Sequence, residues 1–331
     1  MSTYLKNVAL VGASGNLGSK VLSSLLQQGK HNITVISRPS SSAEFPSSVK
    51  VLKTEYTDAA SLESAFKGKD VVVIMLAFAG LHDEIKIIEA AARAGVKYVI
   101  PSEYGSPSKN PKMADAVPLL KAKLVIHENI VSLGMKYIVV VTNGWFDYVG
   151  PSEGCTSDQM LTVKQSLQYG VFGIDLASRK ATLYMDSVSF NTTTTPQIGR
   201  GIASFLALPT DVIEEKFANG CVYLSSFQLT QPQLFEAVLR VTGTTEDDWQ
   251  IERRTAQDRL AEARKKLEAG DFSGNFDMLL GMSFVEGDYS AQVANELLGL
   301  GLGQEDLDEV IREAVKAAAP GGWSAGSTLA G

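Results

Sequence analysis

Residues 8–18 read Val8-Ala9-Leu10-Val11-Gly12-Ala13-Ser14-Gly15-Asn16-Leu17-Gly18. A short apolar strand runs into three glycines, and an amphipathic helix begins behind them. Between a strand and a helix, such a triplet is a phosphate-binding turn. Gly12 permits the tight turn, Gly15 lets backbone approach a pyrophosphate, and Gly18 lets the helix sit close to the strand. The helix N-terminus then offers its free N–H groups to the anion. The glycine pattern alone is common. Its position after the first strand makes it informative.

Outward from this turn, apolar runs and helical periodicity alternate. Strands are predicted at Val8–Val11, Ile33–Ile36, Val49–Lys53, Val71–Leu76, Val96–Ile100 and Tyr137–Val141. Helices are predicted between them at Lys20–Gln28, Ser61–Phe66, Asp83–Ala94 and Leu119–Leu133. This rhythm implies right-handed βαβ crossovers and a parallel sheet. The fold class is therefore α/β: a Rossmann-type, doubly wound parallel sheet with a smaller C-terminal α+β substrate-binding portion.

The division is expected near residue 150. Residues 1–150 form the dinucleotide-binding domain, and residues 151–331 form the substrate-binding portion, with some segments returning to the Rossmann sheet. Helices are predicted there at Ile198–Leu206, Thr230–Thr242, Ala256–Ala269 and Asp306–Lys316. The basic residues Arg259, Arg264, Lys265 and Lys266 read as a solvated helix face.

The chain of 331 residues is 45% hydrophobic and 20% charged, an ordinary globular composition. Its net charge of −7 argues against direct nucleic-acid contact and against an anionic membrane as partner. Cys155 and Cys221 are its two cysteines, and they match neither a zinc spacing nor a CxxC motif. No metal is expected. Apolar runs such as Val71 to Ala77 and Ile138 to Val141 are too short to span a bilayer, and no secretory leader is visible. A reducing, cytoplasmic setting fits these features.

The second strand ends Ile36-Ser37-Arg38-Pro39-Ser40. NAD-specific domains usually carry Asp or Glu here to bond the ribose hydroxyls. Arg38 instead offers a planar fork of donors suited to a 2′-phosphate, so NADP(H) is favoured over NAD(H). Ala77-Phe78-Ala79-Gly80 follows the fourth strand, where small residues let a cofactor lie against the sheet edge. Phe78 reads equally as a ring beside the cofactor or as core.

Two aromatic-rich loops follow the last two strands: Ile100-Pro101-Ser102-Glu103-Tyr104-Gly105 and Thr142-Asn143-Gly144-Trp145-Phe146-Asp147-Tyr148. Both fall at the crevice edge and favour a flat, apolar ligand. Hydride transfer also needs a proton donor or base. No Tyr-x-x-x-Lys pair falls at the fifth strand, which leaves Lys121 and Lys123 on the following helix. Two residues apart, they point about 200° apart, so at most one faces the crevice.

These pieces, in this order, resemble the NmrA-like and isoflavone-reductase-like atypical short-chain dehydrogenases/reductases, particularly their fungal branch. The resemblance is carried by the turn at residues 11–18, Ser37-Arg38-Pro39, Ile100 to Gly105, Lys123 with Leu133-Gly134, and Asn143-Gly144-Trp145-Phe146. Asn295-Glu296-Leu297-Leu298-Gly299-Leu300 adds to it. It implies an NADPH-dependent reductase acting on a small aromatic or phenolic, secondary-metabolite-type substrate, as a monomer or homodimer. The family's catalytic lysine lies on the helix before the sixth strand. Counting back from Gly134 selects Lys123, while the local Lys-Ala dipeptide selects Lys121. The plant pattern places paired arginines near Ile126 and His127, a departure that separates this chain from the plant substrates.

The resemblance implies cofactor contacts at Gly12, Ser14, Gly15, Asn16, Leu17, Gly18, Arg38, Ala77, Phe78, Ser102, Lys123 and Asn143. It implies a substrate wall of Tyr104, Trp145, Phe146 and Tyr148, with Lys123 as general acid or base. The family's namesake is a co-regulator that binds dinucleotide without turnover. An NADP(H)-sensing regulator is therefore the alternative.

Overall fold

A computed structural model describes residues 4–77, 80–147, 172–176, 178–300 and 305–318. The first half runs β1 (Asn7–Val11), α1 (Asn16–Gln28), β2 (Asn32–Ser37), β3 (Lys50–Lys53), α2 (Ala59–Phe66), β4 (Val71–Ile74) and α3 (Leu81–Arg93). It continues through β5 (Tyr98–Ile100), β6 (Tyr104–Gly105), α4 (Pro111–Ala116), α5 (Pro118–Ser132), β7 (Lys136–Val141) and β8 (Gly144–Trp145). The second half begins with β9 (Ile174–Asp175), β10 (Lys180–Tyr184), β11 (Phe190–Thr193), α6 (Thr195–Leu206), α7 (Thr210–Lys216) and β12 (Gly220–Tyr223). It ends with β13 (Phe227–Leu229), α8 (Gln231–Thr242), β14 (Gln250–Arg254), α9 (Ala256–Glu268), α10 (Gly274–Glu286) and α11 (Leu307–Ala318).

The main sheet has the order β12-β7-β5-β4-β1-β2-β3, with β6 beside β7. Every pairing in it is parallel. Such a sheet is covered on both faces and needs apolar residues throughout its central strands. In β4, Val71, Val72, Val73 and Ile74 are all fully buried. One face carries α1 and α6, packed on Val8, Leu10 and Val73. The other carries α2, α3 and α5, packed on Ala9, Val11 and Val72. This is the Rossmann-type, doubly wound α/β fold. The strand order reverses between β1 and β4, so a crevice opens at their carboxyl ends.

The second half both joins this sheet and departs from it. β12 extends the sheet edge, and α6 packs along α1. Beyond them, two three-stranded sheets, β14-β10-β9 and β13-β11-β8, form a smaller α+β portion. Its separate core is aromatic, built around Phe146, Phe172, Phe190, Phe235, Trp249 and Phe284.

Several element boundaries differ from the sequence-based expectation. The first helix starts at Asn16 because Gly15 is extended and acts as its N-cap. The helix expected from Ile198 begins at Thr195, where Thr194 caps the Gln197 N–H and Pro196 fits the first turn. Helices α4, α7 and α10 were not expected. On the basic helix α9, Arg264, Lys265 and Lys266 are exposed as expected, whereas Arg259 bonds Tyr184 and Asp277 and is largely covered.

Candidate active site

The glycine turn sits at the carboxyl end of β1. Gly12 has φ +81°, and a Cβ there would lie 2.2 Å from the Met75 carbonyl oxygen. A Cβ on Gly18 would lie 2.1 Å from the Gly12 carbonyl oxygen. Both positions are closed to any side chain. The Gly15 N–H donates to the Gly12 carbonyl at 3.1 Å, which folds the turn over the start of α1. No side chain caps this helix, and no acidic residue stands in its first turn. A helix end of this kind, with its positive dipole, is where an anion site can form.

Ser14 and Asn16 are exposed on this turn. The Leu17 side chain is core, 4% exposed, so only its backbone can serve a ligand. Ala77 is exposed just beyond β4. Phe78 lies outside the described residues.

Arg38 is exposed directly after β2. A second cation accompanies it. Lys53, the last residue of β3, donates from Nζ to the Ser41 carbonyl at 2.8 Å and lies 3.4 Å from Ser37 Oγ. The loop that follows β2 is thus gathered around two positive charges. The sequence reading missed Lys53, because a polar residue at a strand end ordinarily reads as solvated. The parallel register of β2 and β3, which sets Ser37 opposite Lys53, brings it here.

The other side of the crevice is built on the ends of β4 and β5. Ser102 Oγ donates to the Leu76 carbonyl at 2.7 Å and accepts from the Leu76 N–H at 3.0 Å. The Ser102 N–H donates to Glu84 Oε1 at 2.6 Å. Glu84 lies in the first turn of α3 and is fully buried. Its other oxygen accepts from Lys123 Nζ at 3.2 Å, and Lys123 also donates to the Ser102 carbonyl at 3.0 Å. Lys123 is 4% exposed, whereas Lys121 is exposed on the outer face of α5. The helical offset thus sends one lysine inward and the other to solvent.

One turn along α5, His127 is also buried. Its Nε2 lies 2.5 Å from Glu103 Oε1, and its ring stacks on Tyr137 at 4.2 Å. Ser108 Oγ donates to the second Glu103 oxygen at 2.6 Å. Ile126, beside it, is core. Ile126 and His127 both face inward, where they brace the loop after β5.

The expected aromatic wall is partly structural. The Tyr104 hydroxyl donates to the Ile74 carbonyl at 2.9 Å, and burial pushes its phenol well above the usual range. Trp145 Nε1 donates to the Tyr104 carbonyl at 2.7 Å, which ties the two loops together. Phe146 is 1% exposed and packs against Phe172 and Phe227 in the second core. It backs a wall rather than facing a ligand. Tyr148 lies outside the described residues, as does Cys155.

Asn143 ends β7 with φ +54°, an uncommon value for a non-glycine residue. Its amide is engaged at both ends. Nδ2 donates to the Asn191 carbonyl at 2.8 Å, while Oδ1 accepts from Ser283 Oγ at 2.8 Å and Ser106 Oγ at 3.3 Å. The side chain therefore joins the second portion to the sheet, at the carboxyl end of β7.

Among the described residues, no cluster of His, Cys, Asp and Glu is arranged to hold a metal, and no helix is long and apolar enough to cross a membrane.

The NmrA-like family model matches residues 5–270, from the strand before the glycine turn into the second portion. The chain belongs to the NmrA-like family. Relatives include an oxidoreductase of Aspergillus flavus, aprR, 26% identical over 93% of this chain and 98% of that one. Another is the oxidoreductase poxI of Penicillium oxalicum, 27% identical over 92% of each. These relatives place the chain among the oxidoreductases of its family. Among solved structures, AtPrR2 with NADP+ and (+)pinoresinol shares the fold. Its TM-score is 0.69 at 18% identity, covering 95% of this chain and 100% of that one.

Proposed function

We propose that the chain is an NADPH-dependent reductase of a small aromatic or phenolic substrate, with Lys123 as its general acid or base. The observation that carries this reading is a buried, ion-paired lysine at the carboxyl edge of a Rossmann sheet, across the crevice from a phosphate-binding glycine turn. Solved relatives of the fold that hold NADP+ or NADPH support the choice of cofactor.

The α1 N–H groups receive the pyrophosphate. Arg38 and Lys53 receive the 2′-phosphate, where a carboxylate would repel it. Ala77, Ser102 and the Asn143 backbone border the nicotinamide end. Bound there, NADP(H) supplies the hydride for a carbonyl, an imine or a conjugated alkene. Lys123 provides the matching proton, or holds the substrate oxygen through its N–H. Tyr104 and Trp145, fixed by their own hydrogen bonds, give that end an apolar, aromatic boundary. The isolated Cys221 and the net charge of −7 favour a reducing, cytoplasmic setting and no direct nucleic-acid contact.

The test is NADPH oxidation over a panel of aromatic ketones, enones and imines, with Lys123→Ala and Lys121→Ala in parallel. The proposal expects turnover that Lys121→Ala keeps and Lys123→Ala loses. Tight NADP+ binding without turnover on any member would favour the sensing role instead. Equal turnover in Lys123→Ala would remove the lysine from the mechanism.

A further inference from the structure

We infer that Glu84 is a positioning residue that holds Lys123 as a paired ammonium and aims its remaining N–H into the crevice. This rests on the reading of Lys123 as the proton-handling group.

Glu84 occupies a costly place. Three and four residues further along α3, Ile87 and Ile88 are fully buried, and Glu84 lies on the same stripe. A carboxylate here loses its hydration and is tolerated only when both oxygens are satisfied. A purely structural task, accepting the Ser102 N–H, needs one oxygen, and a neutral amide would perform it. The second oxygen reaches Lys123. Because Lys123 also donates to the Ser102 carbonyl, the carboxylate, the ammonium and the Ser102 backbone close a ring. Ser102 Oγ fixes that ring to Leu76 at the end of β4. The ring uses two of the three ammonium N–H donors and leaves one for a ligand.

In the proton step, one Lys123 N–H bond breaks and its electron pair stays on nitrogen. The substrate heteroatom, or the carbon of a conjugated alkene, receives the proton. Glu84 transfers nothing, and a proton from water restores the amine after product leaves.

Other titratable groups stand close by. Tyr104 of β6 feels the Glu84 and Glu103 charges. Glu103 and His127 pair with each other one turn along α5. None of the three is substituted in the variants below, and Glu84→Asp keeps the charge that Tyr104 feels.

The experiment compares wild type, Glu84→Gln and Glu84→Asp in the full chain. Three readouts are taken: NADPH affinity by fluorescence, kcat and KM for benzylideneacetone reduction, and the chemical shift of the Lys123 side-chain carbon at one fixed pH in NMR spectra of the unloaded protein. The Lys123 signal is assigned by its loss in Lys123→Arg. Glu84→Gln should keep NADPH affinity within about threefold, lower kcat by roughly 10- to 100-fold with KM little changed, and move the Lys123 signal. Glu84→Asp keeps the charge, so its kcat should fall less than that of Glu84→Gln. A folded Glu84→Gln with wild-type kcat and an unmoved Lys123 signal overturns the inference. Should Glu84→Gln not fold, Glu84→Asp decides: unchanged kcat overturns the inference, and lowered kcat with unchanged NADPH affinity supports it. A moved Lys123 signal in Glu84→Gln without turnover in any form supports the pairing and counts against the reductase reading. Wild-type turnover with an unmoved signal in Glu84→Gln does the reverse.

Discussion

Removing the Lys123 ammonium alone should unfold the protein more easily than its small size suggests. Lys123→Met keeps an unbranched apolar side chain in place but leaves Glu84 with Ser102 N–H as its hydrogen-bond donor. Lys123 and Glu84 stand 3.2 Å apart, with side chains 5% and 1% exposed. At that distance an effective dielectric of about 20 gives roughly 5 kcal/mol of attraction. The pair is too deeply buried to be screened down to the ~0–1 kcal/mol of surface ion pairs. The attraction is offset by desolvation in the intact protein, so the pair itself adds little net stability. Breaking one side is different, because the surviving charge keeps its desolvation cost. Each of Lys123→Met and Glu84→Gln should therefore cost about 3–5 kcal/mol. The double variant holds no stranded charge, and should be less destabilised than the two single costs combined by about 2 kcal/mol or more. Urea unfolding followed by tryptophan fluorescence reads all four proteins, comparing midpoints at a common slope. Additivity within about 0.5 kcal/mol would refute the reasoning. So would a Lys123→Met cost below about 1 kcal/mol, the value of an exposed pair.

Three further outcomes follow from other parts of the molecule. Arg38→Ala and Lys53→Ala should each weaken NADPH binding about tenfold, the worth of one charge-assisted hydrogen bond trimmed by exposure. NADH binding should change little, and equal losses for both nucleotides in a binding titration would remove the pair from the 2′-phosphate. Gly199→Ala would place a Cβ 2.7 Å from the Lys20 carbonyl oxygen and force α6 off α1. The overpacking should cost about 1–3 kcal/mol, visible as a lowered melting temperature, and an unchanged melt would mean that the helices separate freely. Burial pushes the Cys221 thiol from 9.0 up to about 11, so its stability contribution is complete at neutral pH and is lost as pH climbs from the lower value to the higher. At pH 8 about one thiol in a thousand is ionised, so iodoacetamide should spare Cys221 in the folded chain and label it in urea. Fast labelling of the native protein, read by mass spectrometry, would contradict this burial.

The parallel sheet was legible because its signals are local and strong. Val71–Ile74 is a continuous apolar run, and the glycines at 12, 15 and 18 stand where backbone must pass close to backbone. Arg38 was legible because the strand end that precedes it is unambiguous. Other features depend on tertiary placement. Glu84 follows Asp83 at a helix start, where acidic residues ordinarily complement the helix dipole, and only packing against β5 and α5 reveals its burial. Phe146 read as a ligand-facing aromatic because it stands beside Trp145 in the loop after β7. Trp145 ends β8 and packs on the core of the main sheet, whereas Phe146, just beyond the strand, goes to the second core. The strands β8, β9 and β13 have two or three residues each, too few for any period to show. Helix α10 was missed because its apolar residues show little preference for one side, and Gly281 lies against Leu260 of α9.

The central claim is that this crevice moves a hydride from NADPH and a proton from Lys123 onto an aromatic acceptor. Its most direct test is a single turnover with NADPH carrying deuterium at C4, an aromatic enone as acceptor, and mass spectrometry of the product. Wild type and Lys121→Ala should place one deuterium on the reduced carbon. The Lys123→Met, Glu84→Gln double variant, chosen because it strands no charge, should do so at least 100-fold more slowly. Intact, bound NADPH with no deuterium in any aromatic product from the wild-type protein would contradict the account.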